Sequence, residues 1–321
     1  MDTSSATTPA HDPAAPPGTR ADGAPGEQFG LGLEVARDRV RVALVDGTGK
    51  VRARAERRDV QRTPAARARA AAVLAHSCSE DVEARLGAGK GVRIRHAVAA
   101  FPSVVAPDQA SVYRVPGFEK GGTALRDALS DALGCPVDIE NDANLAAIAE
   151  HQLGAAVGRS SFVSVLLGEG FGAGIVLDGR LHRGAAGMAG EVAFVPQPGR
   201  ALGTQVLGDV ALAALAKEHG LPENLSLREV LDRDEAGDRS AGEVAEEVAR
   251  RTGVMIATMT LVLDPALFVL GDQAARPGVH DRVTSYLRDQ IAVLPVRVEA
   301  STLGSDAVVL GAACAVSEVL R

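Results

Sequence analysis

Two apolar runs, Phe29–Val35 and Val40–Asp46, and a stretch in which Val and Ala alternate with charged residues, Val51–Arg57, open the patterned part of the chain. Ala36-Arg37-Asp38 separates the first two and Asp46-Gly47-Thr48-Gly49 the second two. Short stretches of this kind divided by turn residues predict three strands in a meander. Thr63-Pro64 then signals a helix start, with Thr as cap and Pro at the first position. That helix is predicted to reach Leu86 and stop at Gly87. Ile94–Ala99 reads as a buried strand, Thr123–Leu133 as a helix ended by Gly134, and Val137–Ile139 as a strand. An Ala-rich helical pattern follows to Leu153.

The second half repeats this order. A strand over Phe162–Leu167 leads into the run Gly168-Glu169-Gly170-Phe171-Gly172-Ala173-Gly174. A strand over Ile175–Leu177, an Asp178-Gly179 turn and a strand from Arg180 come next. Helices are expected at Thr204–Lys217, Ala241–Leu263, Val279–Ile291 and Ala307–Leu320, with strands at Leu267–Leu270 and Val296–Glu299. Two meanders, each followed by alternating helix and strand, predict a duplicated α/β architecture with a cleft between its halves.

Composition adds limits. The 321 residues are 46% hydrophobic and 3% aromatic with no Trp, so Ala, Val, Leu and Ile must build the core. Residues 1–28 are Pro, Ala, Gly, Ser, Thr and Asp with little to bury, and read as a disordered tail. A formal charge of -7 argues against general affinity for phosphate backbones. Cys78, Cys135 and Cys314 are scattered outside any C-x-x-C pair, which indicates small core hydrophobes in a reducing compartment. No segment reads as a membrane span or a secretory signal, so a soluble cytoplasmic protein is expected.

Candidate chemistry lies at three places. In IENDANLAAIAE, residues 139–150, a strand end meets a helix start, where open α/β sheets bind ligands. Asp142 is suited there to take a proton from a substrate hydroxyl, although Asn and Asp are also the best helix caps. The Gly168–Gly174 run does not match G-x-G-x-x-G, and a strand follows it. It fits a hairpin corner open to a phosphate, or a hairpin packed tightly on another element. Gly184–Glu191 sets small residues before one carboxylate, an arrangement that suits sugar hydroxyls or a plain surface loop.

Taken together, IENDANLAAIAE, LGEGFGAGIVLDGRLHRGAAGMAGE and EASTLGSDAVVLGAACA resemble the ROK family of sugar kinases and sugar-responsive repressors. The resemblance runs from Phe29 to the C-terminus. It implies an actin-like ATPase (ribonuclease H-like) fold of two α/β domains around a cleft. The implied units are the tail 1–28, an N-terminal domain 29–138, a C-terminal domain 139–300 and a closing segment and helix 301–321. By the same resemblance, Asp142 is the catalytic base if the protein is active, and Asn141, Asp142 and Glu191 hold the sugar. Asp209 stands in for a sugar-contacting Glu. Glu34, Gly168, Gly170, Gly172 and Gly271 mark a degenerate nucleotide site.

The departures from the family pattern matter as much. Family kinases open with Asp-x-Gly-Gly-Thr-Lys, whereas this chain has Glu34-Val35-Ala36-Arg37-Asp38-Arg39. Glu169 follows the first Gly of the second loop in place of Thr, and Asp272 replaces the second glycine of the adenosine loop. A carboxylate about 4 Å from a phosphate charge is repelled by roughly 4 kcal/mol at an effective dielectric near 20. Phe194 stands where a zinc-binding His is usual, and Leu202 and Leu207 where thiolates would be, so no zinc is expected.

These features predict a non-catalytic sugar-sensing regulator related to ROK repressors; the alternative is an ATP-dependent hexose kinase. ATP and magnesium are implied only under the kinase reading. The expected partners are a sugar or sugar derivative and further copies of the chain, as a dimer or tetramer. The chain shows no winged helix-turn-helix before Phe29, so direct DNA binding is not expected of it, nor is membrane binding.

Overall fold

The computed structural model describes residues 27–37, 39–87, 91–113, 121–168, 170–290 and 296–321. The expected tail, Asp38 and Glu169 lie outside or largely outside these residues.

The first half contains β1 (Glu27–Val35), β2 (Val40–Asp46), β3 (Val51–Arg57), α1 (Pro64–Leu86), β4 (Val92–Phe101), α2 (Ala124–Leu133), β5 (Val137–Asn141) and α3 (Asp142–Leu153). The second contains β6 (Phe162–Leu167), β7 (Phe171–Leu177), β8 (Arg180–Leu181), α4 (Asp209–Glu218), α5 (Leu227–Glu235), α6 (Arg239–Leu263), β9 (Phe268–Asp272), α7 (Pro277–Gln290), β10 (Val298–Ala300) and α8 (Ala307–Leu320). Each half builds one five-stranded sheet, ordered β3-β2-β1-β4-β5 and β10-β9-β6-β7-β8. In both, the first strand pairs antiparallel with the second and parallel with the fourth. The two sheets therefore share one topology, as the repeated meander predicts.

Alternation along β1 decides what each face meets. Phe29, Leu31, Leu33 and Val35 point into a core shared with Ala68, Ala71, Leu74 and Cys78 of α1 and Leu125 and Leu129 of α2. On the other face, a Cβ on Gly32 would stand 2.5 Å from the backbone nitrogen of Ala313 in α8. The helix can lie on the sheet only because that side chain is missing. The same device recurs twice. A Cβ on Gly311 of α8 would be 1.8 Å from the Leu145 carbonyl of α3, and one on Gly174 of β7 would be 2.4 Å from the Ala143 carbonyl of α3. Sheet, α8, α3 and second sheet are thus stacked in direct backbone contact. The helix that begins at Asp142 is fixed between the two sheets.

Local signals account for most boundaries. Thr63 caps α1 by accepting from the Ala66 amide, with Pro64 in the first turn. Gly134 ends α2 in the left-handed conformation at φ 67°.

Three expectations are corrected. The strand expected over Ile175–Leu177 begins at Phe171, so the glycine run is mostly strand and the corner shrinks to residues 168–170. The helix expected from Thr204 begins at Asp209. Gly203 and Gly208 take φ of 78° and 110°, which no helix accommodates, while Val206 and Leu207 drop into the core. Helix α5 was not anticipated, although Ser226 and Glu229 form a reciprocal capping box at its start. Among the described residues no helix is long and apolar enough to cross a membrane.

Candidate functional site

The site is built at the junction of β5 and α3. Asn141 ends the strand in extended geometry and caps α3, its Oδ1 accepting from the Asn144 amide at 3.1 Å. Its Nδ2 donates to the Ser103 carbonyl at 3.1 Å. Capping therefore falls to Asn141, and Asp142, one residue later, is not needed for it. Asp142 accepts from the Ala143 amide at 2.8 Å.

Burial pushes the Asp142 carboxyl up to about 7, with the charges of Glu34 and Glu191 adding to the effect and the Ala143 amide opposing it. Desolvation disfavours the charged form, and nearby like charges do the same. Glu191 is itself raised by burial. It is half-buried because Gly190, at φ 92°, lies against the Ala173 carbonyl, and Gly187, at φ 75°, lies against the Val105 carbonyl. Only glycine fits either contact. The loop keeps Ala185, Ala186 and Met188 exposed while Gly187 and Gly190 anchor it.

Beneath this pair Glu140 is buried and fully engaged. It accepts from Arg183 Nε at 2.6 Å, Asn144 Nδ2 at 2.9 Å, the Asn141 amide at 2.9 Å and Gln109 Nε2 at 3.3 Å. It orients the strand end from below. Sequence reading passed over Glu140 because two of its partners, Gln109 and Arg183, lie far from it in the chain.

The β1–β2 turn is crowded with charge. Glu34 accepts from Arg39 Nη2 at 2.8 Å and is ion-paired with buried Arg41. Arg41 also reaches Asp306, at the start of α8, at 3.1 Å. Arg37 is ion-paired with Asp209 at the start of α4. The expected sugar contact at Asp209 is thus engaged by a guanidinium. The turn rests on Arg67, a buried side chain that donates to the Arg37 carbonyl at 3.0 Å and lies 5.6 Å from the Phe101 ring centre.

At the equivalent β6–β7 turn, the Gly168 amide donates to the Gly170 carbonyl at 2.9 Å. The neighbouring strand end holds Gly271 and Asp272, paired with Leu166 and Leu167. Asp272 takes φ 52° and ψ −122°, a glycine-like conformation, and accepts from Gln273 Nε2 at 2.7 Å. Its Oδ2 lies 2.5 Å from where a Cβ on Gly168 would stand. Gly172 lies within β7, against the Ala143 side chain, rather than in the turn.

The loop from Glu191 to α4 carries no grouping for a metal. Leu202 is exposed and Leu207 buried, so the two do not face one point. Among the described residues no three His, Cys, Asp or Glu side chains cluster for an ion. Buried Arg251 of α6 ties this loop down instead. It donates to the Val206 carbonyl at 2.8 Å, is held by Glu247 at 2.7 Å, and its own carbonyl accepts from Gln197 at 2.8 Å.

The model of the ROK family matches residues 30–319. The chain belongs to the ROK family. The bifunctional enzyme NanE/NanK of Brucella melitensis is 33% identical over 190 residues, covering 57% of this chain and 35% of that protein. The chain thus matches about a third of the length of that relative. Other relatives include a glucokinase of Halalkalibacterium halodurans, 28% identical over 65% of this chain and 72% of that one, and a xylose repressor of Caldicellulosiruptor bescii, 26% identical over 73% and 63%. Among solved structures, a ROK glucokinase from Streptomyces griseus, in complex with glucose and AMPPNP, superposes with a TM-score of 0.75 at 22% identity, over 90% of this chain and 99% of that one. A ROK transcriptional regulator, a homologue of the E. coli MLC protein, gives 0.71 at 22% identity, over 92% and 78%. The fold is accordingly the actin-like ATPase arrangement of ROK proteins, and the relatives comprise both kinases and repressors.

Proposed function

We propose that this ROK protein is a non-catalytic, cytoplasmic sugar sensor whose cleft binds a neutral sugar through Asp142, Glu191 and the remaining Nδ2 proton of Asn141. The observation that carries the reading is the contrast between the two parts of the cleft. The carboxylates of Asp142 and Glu191 are desolvated and mutually close, which suits acceptance of hydrogen bonds from a polyol.

The residues do not fit a nucleotide and its metal. Glu34, the acidic residue of the first turn, is ion-paired with Arg39 and Arg41. Arg37 brings a side chain where the family keeps bare backbone. The Asp272 carboxylate overhangs the Gly168 turn, and a phosphate there would meet like charge.

A second reading, an ATP-dependent hexose kinase, is favoured by one observation. A carboxyl held near 7 is well matched to a general base at neutral pH. A melting screen separates the two. The sensor reading predicts stabilisation by one or more sugars, lost in Glu191→Ala, with no shift from magnesium-ATP. Sugar-dependent release of ADP that disappears in Asp142→Asn would establish the kinase. Neither shift nor turnover would leave an oligomeric scaffold.

A further inference from the structure

Besides the stacking of α3 and α8, two contacts of different kinds run from one half of the molecule to the other. One is packing: the Gly184–Glu191 loop presses Gly187 onto the Val105 carbonyl, beside the bond from Arg183 to buried Glu140. That contact is fixed by shape. The other is the ion pair between Arg37 and Asp209, 172 residues apart in sequence.

Each partner of this pair is mounted on the core of its own half. The Arg37 turn is closed by the Ala36 amide donating to the Arg39 carbonyl at 2.9 Å and is supported from below by Arg67. Asp209 opens α4, whose Leu212 and Leu215 are buried in the second core. The pair itself is 32% and 41% exposed. An ion pair so open to water is screened by salt and parts readily. Firm mountings joined by a weak, reversible link make a catch rather than a strut.

We propose that Arg37 and Asp209 form a clasp that ties the β1–β2 turn of one half to the start of α4 in the other, and that it must part for a ligand to pass. The role of the clasp in ligand passage rests on the sugar-site reading, but its closure is testable with no ligand present. The test is amide hydrogen exchange on the full chain at about 50 mM and about 500 mM salt, where screening differs strongly. The reporters are the amides of Ala36, Val206 and Leu212, which are bonded beside the clasp.

At low salt, Arg37→Gln and Asp209→Asn are each expected to speed exchange at these amides about two- to fivefold, the opening that loss of one exposed pair supplies. High salt should do the same to the wild type and little to the variants. The doubly exchanged protein, Arg37→Asp with Asp209→Arg, should return to wild-type protection. Single variants that exchange like the wild type, or a double variant as fast as the singles, would overturn the clasp. Failure to bind any sugar would leave these exchange rates untouched, so the two claims fail separately.

Discussion

The two halves of this ROK protein carry the same turn twice, after the first strand of each sheet, and the two turns differ in what fills them. At the β1–β2 turn, Arg37 and Arg39, with Arg41 at the start of β2, enter ion pairs with Asp209, Glu34 and Asp306. The β6–β7 turn carries Gly168 and Gly170, and is instead covered from the next strand by Asp272. One turn is filled and the other overhung. A shared backbone topology therefore says little about what a turn can hold; the side chains that converge on it decide.

The largest test removes the stacking on which both turns depend. Gly311→Leu places a side chain where the Leu145 carbonyl lies and should cost about 3 kcal/mol or more, or prevent folding, as read by denaturant unfolding. The equivalent change at exposed Gly203 positions meets no atom within 4 Å; there the penalty is backbone strain alone, about 1–2 kcal/mol.

Asp142→Asn should stabilise the protein, because a carboxyl raised to about 7 by burial destabilises the folded state once it ionises. The folded state binds the proton more tightly than the unfolded chain. Wild-type stability should therefore fall between about pH 4 and pH 7, with the deficit fully present above pH 7. The variant should gain about 4 kcal/mol at pH 8 and little at pH 4, as read by urea titrations at both values.

Arg251→Met should cost about 2 kcal/mol, since the Val206 carbonyl loses its donor and the loop leading to Asp209 loses its tie. Smallest is Asp272→Gly. Relief of a glycine-like φ should return about 1 kcal/mol, and removal of the carboxylate should clear the Gly168 turn. Combined with Ala36→Gly and Arg37→Gly, it is the variant in which nucleotide binding should first become measurable by calorimetry.

The strands of the two meanders were legible in the sequence because turn residues bound short apolar or alternating stretches. Val40–Asp46, Val51–Arg57 and Phe162–Leu167 were read at their observed limits. Helix α5 was missed because Leu227–Glu235 is mostly charged, and its capping box was a short signal in a polar stretch. The start of α4 was misplaced because Gly203 and Gly208 punctuate a segment whose apolar spacing imitates a helix. Asp142 and Glu191 were legible as candidates from local motifs. The partners that tune or obstruct the site were not. Arg37 with Asp209, Arg183 with Glu140, and Asp272 above Gly168 are joined only by the fold, and no local pattern links residues so distant in sequence.

Calorimetric titration of the wild-type protein, with magnesium-ATP and separately with a panel of neutral hexoses, pentoses and N-acetylhexosamines, tests the central contrast most directly. The account predicts saturable heat from at least one sugar, abolished by Glu191→Ala, and none from magnesium-ATP with or without that sugar. Saturable magnesium-ATP binding, strengthened by the sugar and followed by release of ADP, would contradict it.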